Sequence, residues 1–179
     1  MSPCESPHIL LTGPMGSGKT TVGRLLADAT GRPFFDSDVQ LERRFGRTAR
    51  ELAGTEGVAA LHRAEAEVLR EAVVSPEPAV IAAAASVGDA PETADLLGGE
   101  KVLSILLIGD PAVLASRAET GGHRRPVDLD AYMELSERRR VALAAVCDLV
   151  VDVTVRSPRQ VADEVLAHLD ASGAAGEEH

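Results

Sequence analysis

His8-Ile9-Leu10-Leu11-Thr12-Gly13-Pro14-Met15-Gly16-Ser17-Gly18-Lys19-Thr20 is the stretch from which the rest of the chain can be read. It opens with an apolar run of strand length and ends on the pattern Gly-x-x-x-x-Gly-Lys-[Ser/Thr]. Beyond it Val22, Leu25, Leu26 and Ala29 recur at helical spacing, so the pattern lies between a strand and a helix, the context it requires. Gly13, Gly16 and Gly18 let successive backbone N–H groups turn inward around an anion, with Ser17 among them. The helix that starts at Lys19, Thr20 and Thr21 points its positive end at the same place. Lys19 reads as the cation for β and γ phosphates and Thr20 as a hydroxyl ligand for Mg²⁺, so the stretch predicts binding of Mg-ATP or a related nucleotide.

Working outward, Pro33 to Phe35 form a brief second strand that stops at Asp36, and a charged helix from Val39 to Phe45 is punctuated by Gly46 and Gly57. Val58 to Val73 is helical until Pro76 and Pro78 break the pattern. Ala79 to Val87 and Lys101 to Ile108 are continuous apolar runs, the signature of strands buried on both faces of a parallel sheet. Pro111 to Glu119 reads as a helix, Asp130 to Val146 as another, Asp148 to Thr154 as a strand, and Pro158 to Leu169 as a final helix. Between them, 119–128 carries Gly121, Gly122, Arg124, Arg125 and Pro126 and reads as an exposed, mobile lid. Strands alternating with helices predict an α/β protein, a three-layer α/β/α sandwich around a mostly parallel five-stranded sheet, here with a P-loop and a small lid. Residues 1–170 are expected to form one such domain and 171–179 a flexible tail. Ligands in sheets of this kind bind beyond the carboxyl ends of the strands.

Composition narrows the partners. The 179 residues suit one generous domain, and a formal charge of −10 repels nucleic acid and anionic membranes. Aromatic residues make up 2% of the chain, leaving few stacking platforms, so recognition must rest on charge and backbone hydrogen bonds. Cys4 and Cys147 offer no metal-binding spacing and read as free thiols in a reducing compartment. No run approaches a membrane span and no secretory signal is legible, which predicts a cytoplasmic protein. His8 and His123 read as surface residues. The expected partner is a small polar molecule, and the expected state a monomer.

Asp36-Ser37-Asp38 closes the second strand, where a period of two would point both carboxylates to one side, toward the phosphate loop. One carboxylate would hold a Mg²⁺-bound water and the other accept the proton of an attacking hydroxyl. Helix N-capping before Val39 is the alternative use of the same residues.

These segments together resemble the shikimate kinase family: GPMGSGKTTVGRLLA at 13–27, FFDSDVQLERRFGRTARELAGTEG at 34–57 and LHRAEAEVLREAV at 61–73. The resemblance implies ATP-dependent phosphorylation of an alcohol, with shikimate the leading acceptor and aromatic amino-acid biosynthesis the setting. It implies that Asp36 supports Mg²⁺, that Asp38 binds the acceptor hydroxyls, and that Arg117 and Pro158 flank the adenine. Arg125 of the lid would reach the transferring phosphate and Arg139 would grip the acceptor's carboxylate. Lys19, Asp38 and Arg125 are then the catalytic candidates.

The acceptor half departs from the family pattern. His62 stands where the family carries an arginine in its Phe-Arg-x-x-Glu segment, and Arg63 is rotated about 100° around the helix from that position. Ala83, Ala84 and Ala85 stand where the family carries three glycines, each adding a methyl where glycine lets backbone approach a ligand. His62, Arg63, Ala84, Asp38 and Arg139 therefore form the candidate acceptor wall. The departures favour a different small cyclitol or polyol as the alternative acceptor, and a nucleotide-binding module without turnover as the alternative from another class. A nucleoside monophosphate kinase fits less well, because an Asp-x-Asp pair suits a neutral polyol better than a second phosphate.

Overall fold

A computed structural model of the chain describes residues 6–89, 91–119 and 128–175. Its five strands are β1 (His8–Thr12), β2 (Phe34–Asp36), β3 (Val80–Ala82), β4 (Val102–Ile108) and β5 (Leu149–Asp152). They form one sheet in the order β2-β3-β1-β4-β5, with every neighbouring pair parallel. The helices are α1 (Lys19–Thr30), α2 (Ser37–Phe45), α3 (Ala49–Glu56), α4 (Val58–Val73), α5 (Pro91–Leu97), α6 (Pro111–Glu119), α7 (Leu129–Ala144) and α8 (Pro158–Ala175).

Because β1 is central and covered on both sides, all five of its residues are buried, and their alternation divides the core in two. Ile9 and Leu11 pack with Val22, Leu26, Leu114, Val161 and Val165 beneath α1, α6 and α8. Leu10 turns the other way, onto Leu69, Ala72, Val73, Leu97 and Leu143 of α4, α5 and α7. A third cluster, Leu41, Leu52, Ala64 and Val68 with Phe35 and Phe45, holds α2, α3 and α4 together beside the sheet. Each fully buried Leu or Ile contributes about 1.5–3 kcal/mol relative to exposure. Among the described residues no helix is long and apolar enough to cross a membrane.

Three expectations are corrected and one helix is added. The apolar run Ala79–Val87 is strand only over Val80–Ala82. Its ladder ends one bond later, Ala83 N donating to Leu11 O over 2.9 Å, because β1 gives way to the phosphate loop there and no partner remains. Residues 85–88 form a turn, and α5 follows with Pro91 in its first position, a start signal unused in the sequence reading. Helix α8 runs on to Ala175, so the stretch expected to be a loose tail is helical up to that point; alanine-rich sequence costs a helix little. His8 is buried: Ala79 N donates to its Nδ1 over 3.1 Å and its Nε2 lies 3.1 Å from Ser75 O, tying the start of β1 to the chain before β3. His123 and Cys4 lie outside the described residues.

Candidate active site

The phosphate loop leaves β1 at the carboxyl edge of the sheet and enters α1. Gly16 has φ +80°, and a Cβ there would stand 2.0 Å from the Leu114 carbonyl oxygen; at Gly13, with φ +141°, it would stand 2.3 Å from that of Leu107. β4 and α6 thus press on the loop from behind, and only glycine allows its backbone to lie that close. Lys19 Nζ donates to the carbonyls of Gly13 at 2.7 Å and Pro14 at 3.0 Å, which folds the ammonium over the loop. The Ser17 hydroxyl is buried without a protein hydrogen-bond partner, an orphan polar group that an anion in the cradle would satisfy.

Asp36 caps α2 and also reaches the phosphate loop. Its Oδ1 accepts from Asp38 N at 3.1 Å and more weakly from Val39 N at 3.5 Å, capping α2, while its Oδ2 accepts from the Thr20 hydroxyl at 2.9 Å. The cap moves Asp38 into the first turn of the helix, so the strand-period argument for the pair does not hold. Asp38 nonetheless lines the same cleft as the loop, delivered by the helix.

That cleft has a volume of about 750 Å³. Gly16, Ser17, Gly18, Lys19, Thr20 and Thr21 line it together with Asp38, Ala83, Ala85, Arg117, Arg156 and Pro158. The Arg117 guanidinium donates to the carbonyls of Val153 and Thr154, each at 3.0 Å, and so braces the segment that leads from β5 to Pro158. A hard-oxygen set of Thr20, Asp36 and nucleotide phosphates suits Mg²⁺, which keeps few protein ligands.

Apart from that cleft, His62 and Ala84 border a pit of only about 10 Å³ with Glu65, Ser86, Val87 and Thr93. Burial pushes the Glu65 carboxyl up to about 7, opposed by the Ser86 hydroxyl, which donates to it, and affected further by Asp38, Arg139 and Asp89 nearby. Arg139 holds Asp89 in a two-pronged ion pair, Nε to Oδ1 at 2.8 Å and a terminal nitrogen to Oδ2. This pairing holds the Asp89 carboxyl below the usual carboxylate range. His62 Nε2 stands 3.8 Å from Asp89 and Arg138 3.9 Å from it. Arg63 is exposed and lines neither hollow, one helical step from His62 and so turned outward, a correction to its place in the candidate wall. Arg125 and most of the lid at 119–128 lie outside the described residues.

Glu65, Ser86 and Asp89 were not singled out from sequence. Glu65 had a usable signal, three residues after His62 on the same helix face. Asp89 had none, since it meets Arg139 across 50 residues of chain.

The shikimate kinase family model matches residues 15–170. The chain belongs to the shikimate kinase family. Among curated relatives, the shikimate kinase of Symbiobacterium thermophilum is 35% identical over 94% of this chain and 99% of its own. The structure of Acinetobacter baumannii shikimate kinase in complex with shikimate superposes with a TM-score of 0.86 at 26% identity, covering 93% of this chain and 94% of that one. A gluconokinase from Sinorhizobium meliloti aligns at the same 26% identity with a TM-score of 0.71, covering 98% and 99%. As a shikimate kinase relative, the protein is a small-molecule kinase that transfers phosphate to an alcohol, and membership implies ATP as donor.

Proposed function

We propose that the protein moves the γ-phosphoryl group of Mg-ATP to a hydroxyl of a small ring polyol of the shikimate type, acting as a cytoplasmic monomer of one domain. The observation that carries this reading is the division of labour between two neighbouring carboxylates. Asp36 is engaged with Thr20, and Asp38 faces the same cleft two residues on. Thr20 and Asp36 are the residues to hold Mg²⁺, which when bound neutralises charge on the β and γ phosphates. The backbone of Gly13–Gly18 and the Lys19 ammonium bind the phosphates, while Arg117 and Pro158 bound the nucleobase.

Asp38 orients the acceptor hydroxyl and takes its proton as the new oxygen–phosphorus bond forms and the bond from the γ-phosphorus to the β-phosphate's bridging oxygen breaks, releasing ADP. Lys19 and Arg125 supply positive charge to the transferring group. The test is ADP release from Mg-ATP with and without millimolar shikimate and a panel of cyclitols. Acceptor-dependent release is expected; release no greater than the acceptor-free background for every compound, by protein that binds nucleotide, would overturn the reading.

A further inference from the structure

Glu65 lines the pit of about 10 Å³ with His62, Ala84, Ser86 and Thr93, a space that hardly admits one water. The Ser86 hydroxyl donates to its carboxyl. The basic groups of this corner converge on a different carboxylate: Arg139 gives two donors to Asp89, and His62 and Arg138 stand 3.8 Å and 3.9 Å from it. Among the described residues Glu65 forms no ion pair of its own. An ionised carboxylate in a corner with so little water, without a paired cation, is costly, and a proton removes the cost.

Charged groups reach this corner from the elements around it. Asp38 comes from α2, His62 from α4 itself, Asp89 from the segment between β3 and α5, and Arg138 and Arg139 from α7. With a proton on Glu65 and a neutral imidazole, the two aspartates and the two arginines balance; ionisation of Glu65 leaves a negative excess. Arg139 has five N–H donors and gives two to Asp89, so an incoming carboxylate can be held without parting that pair. Such a carboxylate still feels the sum of charge nearby, because like charges are poorly screened where water is scarce. Burial sets the Glu65 carboxyl to ionise at about 7, so its charge changes across the ordinary cellular pH range.

We propose that the proton on Glu65 decides whether the acceptor wall admits a carboxylate-bearing acceptor: protonated and bonded to Ser86 it lets the acceptor's anion settle beside Arg139, and ionised it turns that anion away. The proposal rests on the kinase reading above and adds the regulation of its acceptor site. Acceptor binding above pH 7 then carries a proton from solvent onto a Glu65 oxygen, and the effect falls on acceptor affinity.

Shikimate binding in the presence of Mg-ADP is measured by calorimetry at pH 6 and pH 8 for wild type and two variants. Glu65→Gln keeps an acceptor oxygen for Ser86 and carries no charge. His62→Gln removes the neighbouring imidazole, a group that also titrates near neutrality. Between those pH values the protonated fraction of Glu65 falls from about nine tenths to about one tenth, so wild-type affinity is expected to fall about tenfold. Glu65→Gln should hold its affinity within about threefold over the same interval, and His62→Gln should keep most of the wild-type fall. At pH 7.5, in two buffers of different ionisation enthalpy, wild type and His62→Gln should each take up more than about half a proton per shikimate bound, a reading that stands even if Glu65→Gln fails to fold.

Wild-type affinity unchanged within twofold, the full fall retained in Glu65→Gln, or uptake below about one tenth of a proton in His62→Gln overturns the proposal and leaves the kinase reading standing. Protein that binds Mg-ADP but neither binds nor phosphorylates shikimate or quinate at either pH overturns that reading, and this proposal with it.

Discussion

The Tyr132 hydroxyl donates to the carbonyl of Met15 over 2.7 Å, joining the first turn of α7 to the phosphate loop across 117 residues of chain. The ring is buried, and burial pushes the phenol up, so it remains a donor at physiological pH. Tyr132→Phe keeps the ring and leaves the Met15 carbonyl without this partner. A loss of about 1 kcal/mol is expected, a drop of about 2–4 °C in Tm for a chain of this size. Thermal unfolding with and without Mg-ADP checks it, and an unchanged Tm would remove the bond from the account of loop order.

Lys19→Ala should leave the fold standing and weaken nucleotide binding. The ammonium already bonds the loop carbonyls of Gly13 and Pro14, so it lies at the mouth of the cradle. Loss of charge-assisted contacts worth about 3 kcal/mol corresponds to a roughly hundredfold weaker Mg-ADP affinity. Calorimetric titration, with circular dichroism as the folding control, measures both.

Asp38→Asn separates binding from chemistry. The residue lines the cleft, and the cap on α2 is Asp36. Acceptor-dependent turnover should fall by about 10²–10⁴ while nucleotide affinity stays within about threefold, since general-base catalysis contributes on that scale. Unchanged turnover would take the role away from Asp38.

Glu65 makes stability depend on pH in a stated direction. In the unfolded chain the group ionises near its ordinary 4.5, whereas burial holds it to about 7 in the fold. Between those values the unfolded state binds fewer protons, so this contribution to stability is complete below about pH 4.5, declines as pH rises, and is lost above about pH 7. The whole effect is at most about 3 kcal/mol. Urea denaturation of wild type and Glu65→Gln at pH 5 and pH 8 isolates it: the variant should lose less stability between the two.

Gly16→Ala should be severe. A Cβ there would overlap the Leu114 carbonyl at 2.0 Å, on a backbone with φ +80°. The strain and the clash together should cost more than about 2 kcal/mol and displace the loop. Mg-ADP affinity and Tm are both expected to fall; a variant of wild-type stability would mean the loop yields freely.

The nucleotide half was legible because its signals are local. The run from His8 to Thr20 contains strand, turn and helix start in sequence, and Gly16, Ser17, Gly18, Lys19 and Thr20 line one cleft. Asp36 bonds Thr20 and Asp38 lines the cleft, but the strand-period argument for the pair failed because capping chemistry started α2 two residues earlier than its apolar pattern suggests. The acceptor half was less legible because its contacts are long-range. Periodicity turns Arg63 away but carries no information about Asp89, which meets Arg139 only after β4, α6 and half of α7 have been laid down. Ala79–Val87 misled for a related reason: composition marks what a strand tolerates, and the length of β3 is set by where β1 ends.

The place of β1 at the middle of the sheet also bears on how the protein is made. It needs β3 on one side and β4 on the other, and the nearer of these is encoded about 70 residues later. At a synthesis rate of roughly 5–20 residues per second, the hydrophobic segment Ile9–Leu11 emerges from the ribosome and waits about 4–14 s before any strand that can pair with it exists. The yield of folded enzyme then depends on what shelters that short segment in the interval, and chaperone supply during translation becomes a determinant of how much kinase a cell obtains.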